Sequence, residues 1–178
     1  MRLVLLDRDG LLNADRPDSV KSPAELLLLP GAADAVRRLN EAGRLVVVCT
    51  NQGVVGRGII DEAMLDRIHD KLRAELARAG GRLDAVFHCP DSPERPGPRR
   101  KPAPGMLREA MARFRIPAGE TAMIGDALVG TGAALAVASA VMFFVAHPPH
   151  HAPAVAQELP VSVGISSDSA MVFSKVSF

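Results

Sequence analysis

The sequence has 178 residues, the size of one ordinary domain, so a single core spanning 1–178 is expected. Its 21 Lys and Arg against 20 Asp and Glu leave a formal charge of +1, which excludes a global basic field for nucleic acid or anionic lipid and requires any bound anion to be held locally. Two cysteines, Cys49 and Cys89, are too few for a disulfide framework and form no C-x-x-C pair, and MRLVLLDRDG reaches Asp7 too soon for a signal peptide or membrane span, so a cytoplasmic setting is expected.

Residues 2–6 (RLVLL) read as a buried strand that stops at Asp7. Pro30 and Gly31 open a helix to about Ala42, with Val36 and Leu39 inward and Gly43 as its stop. Leu45 to Cys49 is a second buried strand, ending at Thr50 and Asn51 in a glycine-rich C-T-N-Q-G-V-V-G-R-G stretch. Asp61 then caps a long helix whose Leu65, Ile68, Leu72 and Leu76 form one apolar stripe, ended by Gly80 and Gly81. Ala85 to Cys89 is a third strand. The following CPDSPERPGPRRKPAPG is too rich in proline for regular structure. A helix from about Met106 to Phe114 and a strand from Thr121 to Ile124 follow, and this strand too stops at a carboxylate, Asp126. The alternation predicts an α/β domain with a mainly parallel sheet, whose ligands bind at the carboxyl ends of the strands.

The chemistry-bearing residues fall at those ends. Asp7 and Asp9 stand two apart in D-R-D-G, the residue type that holds a hard cation by oxygen or divides nucleophile and general-acid roles. A solvated strand-to-loop junction is the competing reading. Thr50, Asn51 and the glycine-rich backbone could cradle a phosphoryl oxygen, although Thr and Asn also favour turns. Arg100 and Lys101 place two cations on a proline-stiffened loop, either to hold phosphate or merely as a solvated basic loop.

In this order, DRDG, the T-N after the second strand, the later K-P and the final GD resemble the four motifs of the haloacid dehalogenase (HAD) superfamily of aspartate-nucleophile phosphatases. DRDG-x-x-N, TNQ-x-x-x-x-RG and RKP-x-PGM resemble, more narrowly, the branch of heptose-bisphosphate and histidinol-phosphate phosphatases, over residues 1–126. The resemblance implies a Rossmann-like HAD fold with helices on both faces and a minimal cap. It implies a magnesium-dependent phosphomonoesterase in which Asp7 is the nucleophile and Asp9 the general acid and base. Magnesium would be held by the carboxylates of Asp7 and Asp126 and the carbonyl of Asp9. Thr50, a backbone N–H near Asn51 and Lys101 would hold the phosphoryl oxygens, with Arg100, Asp15, Asn51 and Gln52 as candidates for substrate recognition. The leading substrate is the 7-phosphate of D-glycero-D-manno-heptose 1,7-bisphosphate, with histidinol phosphate or another sugar phosphate as the alternative.

The pattern breaks in two places. Members of the branch often carry a zinc loop before RKP, but its positions here hold Cys89, Asp91, Gly97 and Arg99, so zinc is not expected. The second acid of the fourth motif is replaced by Gly130 and Thr131, which weakens metal support. Beyond that point the composition changes. The last 52 residues carry three charged residues, Glu158, Asp168 and Lys175, where the chain average of 23% would place about 12. Residues 127–178 are therefore expected to be diverged or read from a shifted frame. A catalytically impaired phosphate- or partner-binding protein is the rival from another class. Nucleic-acid processing is disfavoured by the near-zero charge and the absence of Trp and Tyr. A monomer is expected.

Overall fold

The structure, a computed structural model, describes residues 1–125. Asp126, Gly130, Thr131, residues 141–145 (VMFFV) and 161–165 (VSVGI), which read as strands in the sequence, and the expected divergence or frame shift of 127–178 lie outside the described residues. The elements run in the order β1 (Leu3–Leu6), α1 (Ala32–Glu41), β2 (Leu45–Asn51), α2 (Gly53–Gly56), α3 (Glu62–Arg78), β3 (Ala85–Cys89), α4 (Gly105–Phe114) and β4 (Thr121–Ile124).

The four strands form one sheet of order β3-β2-β1-β4, and every pairing is parallel. Parallel pairing follows from the connections, since each return to the same end of the sheet passes through a helix. β1 lies between β2 and β4, which is why it reads as four aliphatic residues with none exposed. Strand alternation sorts the sheet into two cores. Val4, Leu6, Val46 and Val48 cluster with Val36 of α1 and Leu65, Ile68, Leu72 and Leu76 of α3. Leu3, Leu5, Val47 and Cys49 cluster with Met106 and Ala110 of α4. Helices therefore cover both faces, as expected. The four α3 side chains are fully buried, and each contributes about 1.5–3 kcal/mol by removal from water. Asp61 starts that helix by accepting the Met64 N–H at 2.7 Å.

Two local expectations are corrected. β2 continues through Thr50 and Asn51, because they pair with His88 and Cys89 of β3 instead of leaving the sheet. The glycine-rich stretch after it is not an open loop, since Gly53–Gly56 forms the one-turn α2. Between β1 and α1 the chain makes a compact excursion that buries Leu12, Val20 and Leu26 and contains a 3₁₀ turn at Pro23–Glu25.

Candidate active site

The strand order reverses direction at β1: β2 was added on one side of it and β4 on the other. Such a reversal opens a crevice at the carboxyl edge of the sheet, and Asp7 is the first residue beyond β1 at that edge. The Asp7 N–H still donates to the Ile124 carbonyl at 2.9 Å, so the β1–β4 pairing fixes its backbone. Gly125 lies against it, where a Cβ would sit 3.6 Å from the Asp7 Cβ and 3.7 Å from Oδ2. Asp7 Oδ1 accepts the Arg8 N–H at 2.8 Å, and Oδ2 is 2.5 Å from the Lys101 ammonium.

Lys101 comes from the proline-rich loop, 94 positions away in the chain, and Asn51 holds it there. The Asn51 amide accepts the Lys101 N–H at 3.0 Å and donates to the Lys101 carbonyl at 2.9 Å, as a neighbouring strand would. One N–H and the oxygen of the Asn51 amide are thereby engaged by the lysine backbone, which leaves its second N–H for any contact with substrate.

Asp9 sits in a different environment. Gly10, at φ 75, turns the chain in a conformation that L side chains rarely adopt, and its N–H donates to the Asn13 carbonyl at 2.9 Å. The Leu12 and Asn13 N–H groups both donate back to the Arg8 carbonyl. This curl brings Asn13 Nδ2 to 2.9 Å from Asp9 Oδ1. Arg8, with no exposed surface, turns its guanidinium onto the same carboxylate, with one terminal nitrogen 3.0 Å from each oxygen and Nε 3.2 Å from Oδ1. Gln52 completes the cage. Its Nε2 donates to Asp9 Oδ2 at 2.7 Å and to the Thr50 hydroxyl at 2.9 Å, while its Oε1 accepts from Arg8 at 2.9 Å. Thr50 is 1% exposed, and among the described residues its hydroxyl proton has no acceptor.

The remaining guanidinium nitrogen of Arg8 faces His69 Nε2 at 3.3 Å. Burial, reinforced by the neighbouring Arg8 charge, pushes the His69 pKa down to about 3, so the ring is neutral. Because a guanidinium only donates, Nε2 is the acceptor and Nδ1 carries the hydrogen.

The loop after β3 is tied by its own polar contacts as well as by its prolines. Asp91 Oδ2 accepts the Gly97 N–H at 3.0 Å, Arg100 donates to the Asp91 carbonyl at 2.5 Å, and Arg99 pairs with Glu109 of α4 at 2.9 Å. Three of the positions weighed for zinc thus carry hydrogen bonds or an ion pair. Burial pushes the Cys49 thiol up to about 12, which leaves it protonated and without nucleophilic character. Asp15 is exposed, and the one hydrogen bond its side chain makes among the described residues is from the Arg16 N–H at 2.9 Å, so no contact joins it to the other candidates. Among the described residues no group of three His, Cys, Asp or Glu could hold a metal. The donors present, the Asp7 carboxylate and the Asp9 carbonyl, are the hard oxygens that suit magnesium, and the side-chain-free Gly125 leaves room beside Asp7 Oδ2.

Arg8, Asn13 and His69 were not foreseen from the sequence. A signal existed for His69, which falls on the inward stripe of α3 between Ile68 and Leu72 and is 2% exposed. Arg8 offered only its place between two acids at a buried strand end, and Asn13 a position four residues after Asp9.

A model of the haloacid dehalogenase-like hydrolases matches residues 2–138. The chain is 44% identical over 128 residues to the D-glycero-beta-D-manno-heptose-1,7-bisphosphate 7-phosphatase of Bordetella bronchiseptica, covering 72% of each chain. To the protein of the same name from Pseudomonas putida it is 39% identical over 137 residues, covering 77% of this chain and 78% of the other. Among solved structures it is similar to the crystal structure of D,D-heptose 1,7-bisphosphate phosphatase from B. bronchiseptica complexed with magnesium and phosphate, with a TM-score of 0.69, 44% identity and 72% of each chain covered.

Proposed function

The chain belongs to the haloacid dehalogenase-like hydrolases, and from that premise we propose that it is a magnesium-dependent phosphomonoesterase that removes the 7-phosphate of D-glycero-D-manno-heptose 1,7-bisphosphate. The observation that carries the reading is the Asp7–Lys101 pair at the carboxyl edge of the central strand, with the caged Asp9 two residues on. A carboxylate beside a cation at that edge suits attack on an anionic phosphoryl group, which a lone carboxylate would repel.

In this reaction an Asp7 oxygen attacks phosphorus and the bond to the sugar oxygen breaks, its electron pair leaving with that oxygen. Asp9 gives its proton to the departing oxygen. Water then attacks the aspartyl-phosphate and passes a proton to Asp9, which releases phosphate and restores the Asp7 carboxylate. Lys101 and the Thr50 hydroxyl hold phosphoryl oxygens throughout, while Asn51 acts through the lysine it clasps. Arg100 is assigned to recognition of the substrate beyond the reacting phosphate. Magnesium, held by the Asp7 and Asp126 carboxylates and the Asp9 carbonyl, would supply charge neutralisation between nucleophile and phosphate. The similar B. bronchiseptica structure, crystallised with magnesium and phosphate, supports magnesium as the cofactor. The two free cysteines fit action in a reducing cytoplasm, as a monomer on a small phosphorylated sugar.

Phosphate release with magnesium, measured across heptose bisphosphate, histidinol phosphate and other sugar phosphates, tests the proposal. Heptose bisphosphate is expected to give the highest kcat/KM, and Asp7→Asn to abolish turnover on all of them. A wild type inert across the panel would overturn the proposal in favour of a catalytically impaired phosphate- or partner-binding protein.

A further inference from the structure

The polar cluster behind Asp9 is larger than burial of one arginine requires. Arg8 is the largest fully buried side chain among the described residues, and its ion-pair partner is Asp9, whose side chain is 24% exposed. Gln52 touches three members of the cluster at once: it accepts from Arg8 and donates to Asp9 and to Thr50. Only a carboxamide meets that demand, because one end must accept from a guanidinium while the other donates to a carboxylate and a hydroxyl. With 2% exposure and both amide ends occupied inside the protein, Gln52 has no donor turned toward a substrate.

We propose that Gln52 and Arg8 are positioning residues that fix the Asp9 carboxyl in register with Thr50 for proton transfer to the leaving oxygen. The inference rests on the phosphomonoesterase reading above and replaces substrate contact as the role of Gln52. Asp9 lies where the chain leaves the sheet, and without partners its side chain would sample several rotamers. Arg8 approaches both of its oxygens, Gln52 takes Oδ2 and Asn13 takes Oδ1. Since Gln52 also holds the Thr50 hydroxyl, one side chain sets the distance between the group that protonates the leaving oxygen and a group that binds the phosphate. Displacing a proton donor by about 1 Å can cost ~10²-fold in rate, which is the size of a substantial part of general-acid catalysis.

A structural role and a positioning role differ in which substrates suffer. The sugar alkoxide needs a proton to depart, whereas p-nitrophenolate leaves without one. Gln52→Met, nearly equal in volume and without hydrogen bonds, is expected to lower the single-turnover rate of sugar release from heptose bisphosphate about 10²-fold, while single-turnover release of p-nitrophenolate from p-nitrophenyl phosphate, which precedes the water step that also uses Asp9, falls far less. Gln52→Glu keeps the acceptor for Arg8 and loses both donors, so it is expected to show the same selective loss if the Met variant does not fold. In an Asp9→Asn background, Gln52→Met should cause no further loss on the sugar phosphate. Equal losses on both esters in folded variants, verified by thermal melting, or additive losses in the double mutant, overturn the positioning role alone. A wild type inert on both esters overturns the phosphomonoesterase reading, and the role of Asp9 with it.

Discussion

His69 has no contact with the Asp7–Lys101 pair, yet it must remain neutral for the buried cluster to hold together. Its lone pair receives Arg8, and a proton there would set two cations face to face without solvent. The folded pKa of about 3 lies below the ordinary 6.5, so the sign is fixed. Above pH 6.5 the ring is neutral in both folded and unfolded chains and contributes no slope. Between 6.5 and 3 the unfolded chain binds a proton that the folded chain refuses, and stability falls by about 1.4 kcal/mol per pH unit. Urea unfolding at pH 7.5 and 5.0 should therefore show a loss of about 2 kcal/mol. In His69→Gln, whose Oε1 can accept from Arg8 and cannot titrate, most of that loss should disappear. An unchanged slope would mean that other groups dominate acid unfolding. From the sequence, this histidine carried no catalytic signal. Its stripe position announced burial, but only the fold showed that the partner was an arginine 61 positions away.

Among the elements, the unforeseen α2 explains how the proline-rich loop is docked. The Gly56 N–H donates to the Pro90 carbonyl at 3.2 Å, and a Cβ at Gly56 would stand 2.3 Å from that same oxygen. Both contacting groups are backbone, so no side chain can move to relieve the clash. Gly56→Ala is expected to destabilise the protein by about 1–3 kcal/mol, lifting the loop that carries Arg100 and Lys101 and lowering kcat/KM with it. Gly119→Ala, where nothing lies within 4 Å, should leave the melting temperature and activity nearly unchanged. Melting curves and phosphate release on the two variants check this pair, and equal behaviour would refute the docking argument. The long apolar strands and the Leu65–Leu76 stripe were legible in the sequence because burial on both faces or on one stripe writes a periodic pattern. α2 was not, because a four-residue helix bounded by glycines is held by its neighbour and not by its own propensity. Thr50 and Asn51 looked like the end of β2 since they are polar, and only pairing with β3 keeps them in the sheet.

For the whole molecule, the four motifs were readable as residues, and the convergence of the first three, with Gly125 of the fourth, on one sheet edge followed from strands that end in polar groups. What could not be read was which side chains face the substrate and which face each other. Asn51 and Gln52 look alike in T-N-Q, yet one clasps a loop and the other a carboxylate. Magnesium binding at this edge should stabilise the entire fold, because the unfolded chain offers no assembled site. At a concentration about 100 times its Kd the gain is ~2.7 kcal/mol, seen as a higher melting temperature that EDTA reverses and that Asp7→Asn greatly reduces. No shift with magnesium would remove the metal from the proposed chemistry.

The strand order also sets a timetable. Of these four strands β1 leaves the ribosome before the others and β4 after them, with Leu3 in register with Thr121. At roughly 5–20 residues per second, one edge of β1 waits about 6–24 s for its partner. During that interval a row of unpaired backbone groups lies open beside Asp7, available to any passing strand. The nascent protein can join β1, β2 and β3 early, but the wall that Gly125 forms against the nucleophile comes last. Translation past residue 125 is thus the step at which the open edge of β1 is covered and the Asp7 carboxylate gains its neighbouring wall.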